Sequence, residues 1–243
     1  MDPARITAAD VRSERGRELT GRYGIGFAAD NRAAVDGADV VVLSVKPQSL
    51  PQVLPPLARR VPERALVISI VAGAKISRIA EGLSHPAVVR SMPNTPAQIG
   101  QGITVWTAAP SVSEPQRAQA KALLGALGTE VYVEEEAYLD AATALSGSGP
   151  AYVFLFMEAL VDAGIQLGFT PETAKQLVLQ TVRGSAAYAA ASPKDLAALR
   201  EQVTSPGGTT AEALRSFEKD EFRAVVSRAV EAAHRRSIEL GKG

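Results

Sequence analysis

Short β-branched runs alternate with helical stretches through the first half of this chain and then stop, near residue 136. Ile6 to Val11 precedes Ser13 to Tyr23, Val40 to Val45 precedes Pro51 to Arg60, and Leu66 to Ile70 precedes Ile76 to Leu83, with Val88 to Ser91 closing the series. That order predicts βαβ units, because parallel strands need a crossover and a helix supplies it. Val40-Val41-Val42-Leu43 and Leu66-Val67-Ile68 are apolar without alternation, the pattern of strands buried on both faces. Gly102 to Thr107 and Glu130 to Val133 read as later edge strands, with a helix from Glu114 to Leu127 between them. Beyond residue 136 the pattern is helical, with Ala-rich segments at Thr173 to Ala190 and Glu221 to Leu240. The expected fold is an α/β domain over residues 1–135 followed by an all-α domain over 136–243.

Composition excludes several function classes. At 243 residues, 46% of them hydrophobic, the chain can build one large or two ordinary cores. The 26 basic and 26 acidic residues balance with no basic block, which argues against nucleic acid or a membrane surface as partner and for a small ligand. Without cysteine there is no disulfide, thiolate nucleophile or Cys-based metal site, and two distant histidines, His85 and His234, make no zinc centre. His85 precedes Pro86 in an expected loop and His234 adjoins Arg235 and Arg236 on a helix end, so both are expected at the surface. The longest apolar run, Ala151 to Val161, is interrupted by Glu158 and too short to span a bilayer. No apolar core follows Met1-Asp2-Pro3 as in a signal peptide, so the expectation is a cytoplasmic protein.

Two segments of the helical half read as anion sites. Val203-Thr204-Ser205-Pro206-Gly207-Gly208-Thr209-Thr210 sets two glycines ahead of an amphipathic helix, where first-turn N–H groups lack partners and a carboxylate or phosphate approaches without meeting a Cβ. Leu145-Ser146-Gly147-Ser148-Gly149-Pro150-Ala151 repeats the theme before an apolar helix, Ala151 to Leu167. Both also serve as plain N-caps and turns. Gly-Ser-Gly resembles the nucleophile elbow of serine hydrolases, but that motif needs a preceding strand and a histidine brought to the serine, and neither histidine is so placed.

In open parallel sheets ligands bind at the carboxyl ends of strands. After the first run come Arg12 and Ser13, which suit a 2′-phosphate, with no acid at the strand tip itself although Asp10 and Glu14 flank it. After the later runs come Ser44-Val45-Lys46-Pro47, Val71-Ala72-Gly73 and Met92-Pro93-Asn94-Thr95-Pro96. Four small or polar tips suit a dinucleotide in a Rossmann-like domain, although Lys46 alone is as well read as a solvated loop charge.

Val45-Lys46-Pro47, Arg90-Ser91-Met92-Pro93-Asn94-Thr95-Pro96, Ser146-Gly147-Ser148-Gly149-Pro150-Ala151-Tyr152 and Ser205-Pro206-Gly207-Gly208-Thr209-Thr210, in this order and spacing, resemble pyrroline-5-carboxylate reductase. The resemblance runs from about residue 4 to the end. It implies reduction of 1-pyrroline-5-carboxylate to proline by NADPH or NADH, the last step of proline biosynthesis, and a helical domain that dimerises, often within larger rings. It also implies cofactor contacts at Asn31, Ser44, Val45, Lys46, Pro47, the Ile70-Val71-Ala72 turn and Asn94, with Arg12 and Ser13 at the 2′-phosphate. Substrate contacts fall at Ser146, Gly147, Ser148, Gly207, Gly208, Thr209 and Thr210, with Thr210 the candidate catalytic hydroxyl toward the ring nitrogen. One departure concerns Ser192 to Asp195, where Pro193 stands in place of a glutamate that some members use on substrate.

The larger departure is at the front. A Rossmann domain opens with a strand, then Gly-x-Gly-x-x-Gly, then a helix, and those glycines hold the pyrophosphate. Gly24-Ile25-Gly26-Phe27-Ala28-Ala29 fits the spacing, but a helix precedes it and no clear crossover helix follows, so Gly24 reads as a helix C-cap instead. The chain thus begins at the second strand of the pattern, and the absent first strand would be central to the sheet. Two functional classes follow: a reductase represented by an N-terminally shortened sequence, or a non-catalytic relative that assembles with full-length subunits.

Overall fold

The computed structural model describes residues 2–241. They fall into two compact units, one of residues up to 147 together with those from 233 on, and one of residues 148–232. The first unit therefore extends past the expected boundary at residue 135, because the short helix α6 (Tyr138–Ala142) and a π turn (Thr143–Gly147) pack onto the α/β layers.

The main sheet of the first unit has the order β3 (Val40–Leu43), β4 (Leu66–Ser69), β5 (Val88–Met92), β6 (Gly102–Ala108), β7 (Gly128–Tyr132). All neighbours are parallel except β5 and β6, which pair antiparallel through Arg90 with Thr107 and Ser91 with Trp106. Only β7 is the edge expected of the two later strands; β6 lies between β5 and β7. A short turn, Thr95–Ile99, returns the chain beside β5, which an antiparallel neighbour permits without a crossover.

Residues of β4 alternate between two cores. Val67 joins Leu50, Leu54 and Leu57 of α3 (Leu50–Leu57) and Ile79 and Leu83 of α4 (Ile76–Leu83), while Leu66 and Ile68 join Trp106 and Ala120 and Leu124 of α5 (Glu114–Gly125). β4 is buried throughout, as its apolar run predicts. Each such side chain contributes roughly 1.5–3 kcal/mol by leaving water. His85 is a correction: it is 4% exposed, and its Nε2 lies 2.8 Å from the carbonyl oxygen of Ala65. The sequence shows the adjacent Pro86 but not the strand entrance packed over it.

The segment before β3 forms a separate two-stranded parallel sheet, β1 (Thr7–Ala9) with β2 (Gly26–Ala28), joined by α1 (Ser13–Tyr23). Gly24 ends α1 in a left-handed conformation, its N–H donating to the Thr20 carbonyl. Gly26 then opens β2, so Gly24–Ala29 is a cap and a strand rather than a nucleotide turn. A short α2 (Asn31–Val35) leads to β3. β1 and β3 have no mutual pairing, and their free edges line one cleft of about 750 Å³. The expected two-sided burial of the Val40 run fails here: Val41 and Leu43 are in the core, but Val42 on the opposite face is 54% exposed.

The second unit is helical. It holds α7 (Gly149–Gln166), α8 (Pro171–Ala191), α9 (Leu196–Gln202), α10 (Thr209–Lys219) and the start of α11 (Phe222–Leu240), whose end belongs to the first unit. At Gly164 a Cβ would lie 3.1 Å from that of Ala174, so α7 and α8 touch through small residues. α7 has no buried residue in the single chain, and Phe154, Leu155 and Phe156 stand exposed.

Candidate active site

The cleft of the first unit gathers part of the expected cofactor set. Asn31, Ser44 and Val45 line it, along with Thr7 to Ala9 and Val40 to Leu43. Asn31 is half-buried at the start of α2, where Asp30 caps the N–H groups of Arg32 and Ala33. Ser44 is exposed just past β3, Lys46 is exposed with Pro47 half-buried behind it, and Val45 packs partly onto the core. Past β4, Ile70 and Ala72 are half-buried. Val71 between them has its side chain in the core and its N–H donating to Ser69 Oγ, so it shapes the turn. The turn continues through Gly73, whose φ of 72° is left-handed and where a Cβ would lie 3.0 Å from the backbone nitrogen of Gly241.

The tip of β1 also differs from expectation. The strand ends at Ala9, so Asp10 is the first residue beyond it, and an acid does occupy the tip. Its carboxylate accepts the Arg12 N–H at 2.8 Å and faces Arg12 Nε at 3.4 Å, which holds its pKa below the usual range. Arg12 and Ser13 are both exposed there.

At the end of β5 the structure brings an expected cofactor residue to an expected substrate residue. Asn94 Nδ2 donates to the Ser146 carbonyl at 3.2 Å, and its Oδ1 accepts the Ile103 N–H at 3.0 Å. Gly147 sits where a Cβ would be 2.7 Å from Met92 Cε. The 145–151 segment is not, however, a bare helix start. Residues 143–147 form a π turn continuing from α6, the Thr143 and Ser146 hydroxyls donate to carbonyls four residues back, and Ser148 keeps right-handed helical dihedrals. Its first-turn N–H groups are therefore not the open anion seat that the glycines and serines suggest; π turns instead favour functional positions.

Sequence reasoning missed the ion cluster beside this turn. Arg90 on β5 is 3% exposed and pairs with Glu136 through Nη1 and with Asp140 through Nη2, each at 3.0 Å. Glu136 Oε1 also accepts the Ile76 N–H at the start of α4, and Asp140 Oδ1 accepts from Ser237 Oγ at 2.7 Å. The available signal was an arginine inside an apolar strand run, which requires buried acids.

In the second unit Gly207 has φ 71° and Gly208 is the N-cap of α10, with no side chain capping the N–H groups that follow. Thr209 is exposed and Thr210 half-buried in the first turn. The positive dipole end of an uncapped first turn favours a carboxylate. Asp195, in the departing segment, caps α9 through the Ala198 N–H. Among the described residues no three metal-ligating side chains gather. The helical stretch Tyr138–Gln166 is long and apolar enough to cross a membrane, unlike the run read from sequence alone, but Asp140, Glu158 and Asp162 interrupt it.

Comparison with known proteins places these features in one family. Residues 136–240 match the family model for pyrroline-5-carboxylate reductase dimerisation, and residues 2–73 that for NADP oxidoreductase, coenzyme F420-dependent. A pyrroline-5-carboxylate reductase of Pseudomonas aeruginosa is 45% identical over 98% of this chain and 88% of its own length, and one of Arabidopsis thaliana 36% identical over 100% and 87%. A solved reductase of Coxiella burnetii superposes with a TM-score of 0.90 at 38% identity, covering 100% of this chain and 90% of that one. The pyrroline carboxylate reductase of Plasmodium falciparum, solved with NADP bound, gives 0.88 at 29% over 99% of each. A match that spans both units, including the π turn and the Gly207-Gly208 helix start, makes this chain a member of the pyrroline-5-carboxylate reductase family.

Proposed function

We propose that this chain reduces 1-pyrroline-5-carboxylate to L-proline, with NADPH as preferred donor and NADH as a second. The observation that carries the reading is the uncapped start of α10 with two threonines in its first turn, a seat for a small carboxylate beside a hydroxyl. Gly207, Gly208 and Thr209 hold the carboxylate, and Thr210 directs its hydroxyl to the ring nitrogen. The Ser146, Gly147 and Ser148 turn is a further substrate-contacting segment. When bound, the nicotinamide supplies a hydride to the imine carbon, while the nitrogen takes a proton from Thr210 or water. The residues fit the two ends of the nucleotide: Arg12 and Ser13 receive the 2′-phosphate, and Asn31, Ser44 to Pro47, Ile70, Ala72 and Asn94 lie at strand ends. The pyrophosphate has no such seat among the described residues, where Gly37 is the single glycine lining the cleft.

The exposed apolar residues of α7 support a homodimer, or a ring of dimers, in which a second copy covers that face. We place the protein in the cytoplasm. The open cleft between β1 and β3 favours a second reading, a non-catalytic relative assembling with subunits that bind the nucleotide. Incubation with NADPH and 1-pyrroline-5-carboxylate, with proline identified by mass, separates the two: proline formation that Thr210→Val suppresses supports the reductase, and none at saturating NADPH supports the partner.

A further inference from the structure

We infer that Arg90 is a positioning residue for the substrate end of the site, acting through the π turn of residues 143–147; this rests on the reading of Ser146 and Gly147 as substrate-side residues. Two clamps hold that turn to β5 and its extension. One is ionic: Arg90 spans Glu136 and Asp140, both at 3.0 Å, and Asp140 lies on α6, which leads directly into the turn. The other is four residues further along, where Asn94 donates to the Ser146 carbonyl at 3.2 Å and Met92 packs against Gly147. One guanidinium and one amide from neighbouring positions thus fix the two ends of the same short turn.

A π turn needs such support, since its hydrogen bonding is less favourable than that of the helices flanking it. Asp140 brings in the last turns of α11, because Ser237 donates to the oxygen that Arg90 engages. Glu136 brings in α4 by capping Ile76. Lysine cannot replace Arg90, because only the planar fork reaches two carboxylates on separate nitrogens.

The test is amide hydrogen exchange on the full chain, comparing wild type with Arg90→Lys, Asp140→Asn and Asn94→Ala. Exchange at 143–147 is expected to quicken by about tenfold or more in each, with residues 66–69 of β4 unchanged, since only a local unit opens. Combining Arg90→Lys with Asn94→Ala is expected to give less than the product of the single effects, because both clamps hold one turn. Exchange rising equally in β4, unchanged exchange at 143–147, or full additivity would overturn the proposal. Asp140→Asn keeps the shape and guards against a misfolded Arg90 variant. Affinity for L-proline, read by calorimetry, separates the underlying reading: faster exchange with proline binding unaltered means that the turn is clamped as inferred but is not the substrate end.

Discussion

Asp10 and Arg12 form a closed pair at the tip of β1, the Arg12 N–H donating to Asp10 Oδ1 at 2.8 Å and Arg12 Nε facing the same oxygen at 3.4 Å. The pair sets an acid, which favours a free ribose 2′-hydroxyl, beside a cation and Ser13, which favour a 2′-phosphate. For NADPH to be the preferred donor, the cation and Ser13 must outweigh Asp10 at this tip. Ser13→Asp adds an unpaired negative charge and is expected to weaken NADPH by about tenfold or more, near 1.4 kcal/mol, while NADH changes little. Arg12→Ala is expected to act in the same direction by freeing Asp10. Fluorescence titration with both nucleotides checks this, and equal weakening of the two would remove the pair from the 2′ end.

Thr210→Val keeps the shape of the α10 first turn and deletes the hydroxyl. Turnover is expected to fall roughly ten- to a hundredfold, the scale of one lost hydrogen bond in the reacting complex, with NADPH affinity spared. Steady-state kinetics at saturating NADPH decide it. Unchanged turnover would take Thr210 out of the mechanism.

Much of this architecture was legible because periodicity reports burial. The βα alternation, the helical second half and the Gly24 cap follow from apolar spacing and the φ that glycine permits. What was not legible depends on partners distant in sequence. His85 is buried because Ala65 accepts from it across 20 residues, and Arg90 because Glu136 and Asp140 come to it from 46 and 50 residues away. β2 is three residues long, too short for a period to register. The Ser146 segment misled because serine and glycine favour both a helix start and a π turn, and only the preceding α6 decides between them.

His85 supplies a stability test outside the site. His85→Ala leaves the buried Ala65 carbonyl without its partner and opens a void, so the expected loss is about 1–3 kcal/mol for the unpaired group, with more for the cavity. Urea denaturation measures it. A loss within about 0.5 kcal/mol, the usual range for surface sites, would mean that the hydrogen bond contributes little.

The uncovered apolar face of α7 predicts assembly. Sedimentation at micromolar concentration is expected to show no species of monomer mass, and Phe154→Glu on that face to release monomer or precipitate the chain. A clean wild-type monomer would contradict the dimer.

NADPH-dependent proline formation tests the reductase reading and the open edges of β1 and β3 together. It is measured in residues 1–243 and in the same chain carrying an apolar strand, a Gly-x-Gly-x-x-Gly turn and a helix ahead of residue 1. The added turn offers the pyrophosphate further backbone N–H donors, and each charge-assisted bond contributes about 1.5–3 kcal/mol, so nucleotide affinity should rise by orders of magnitude. Residues 1–243 are expected to form proline at saturating NADPH, and the extended chain to do so with a KM for NADPH lower by orders of magnitude. No proline from residues 1–243 at saturating NADPH, or a KM for NADPH unchanged by the extension, would contradict this.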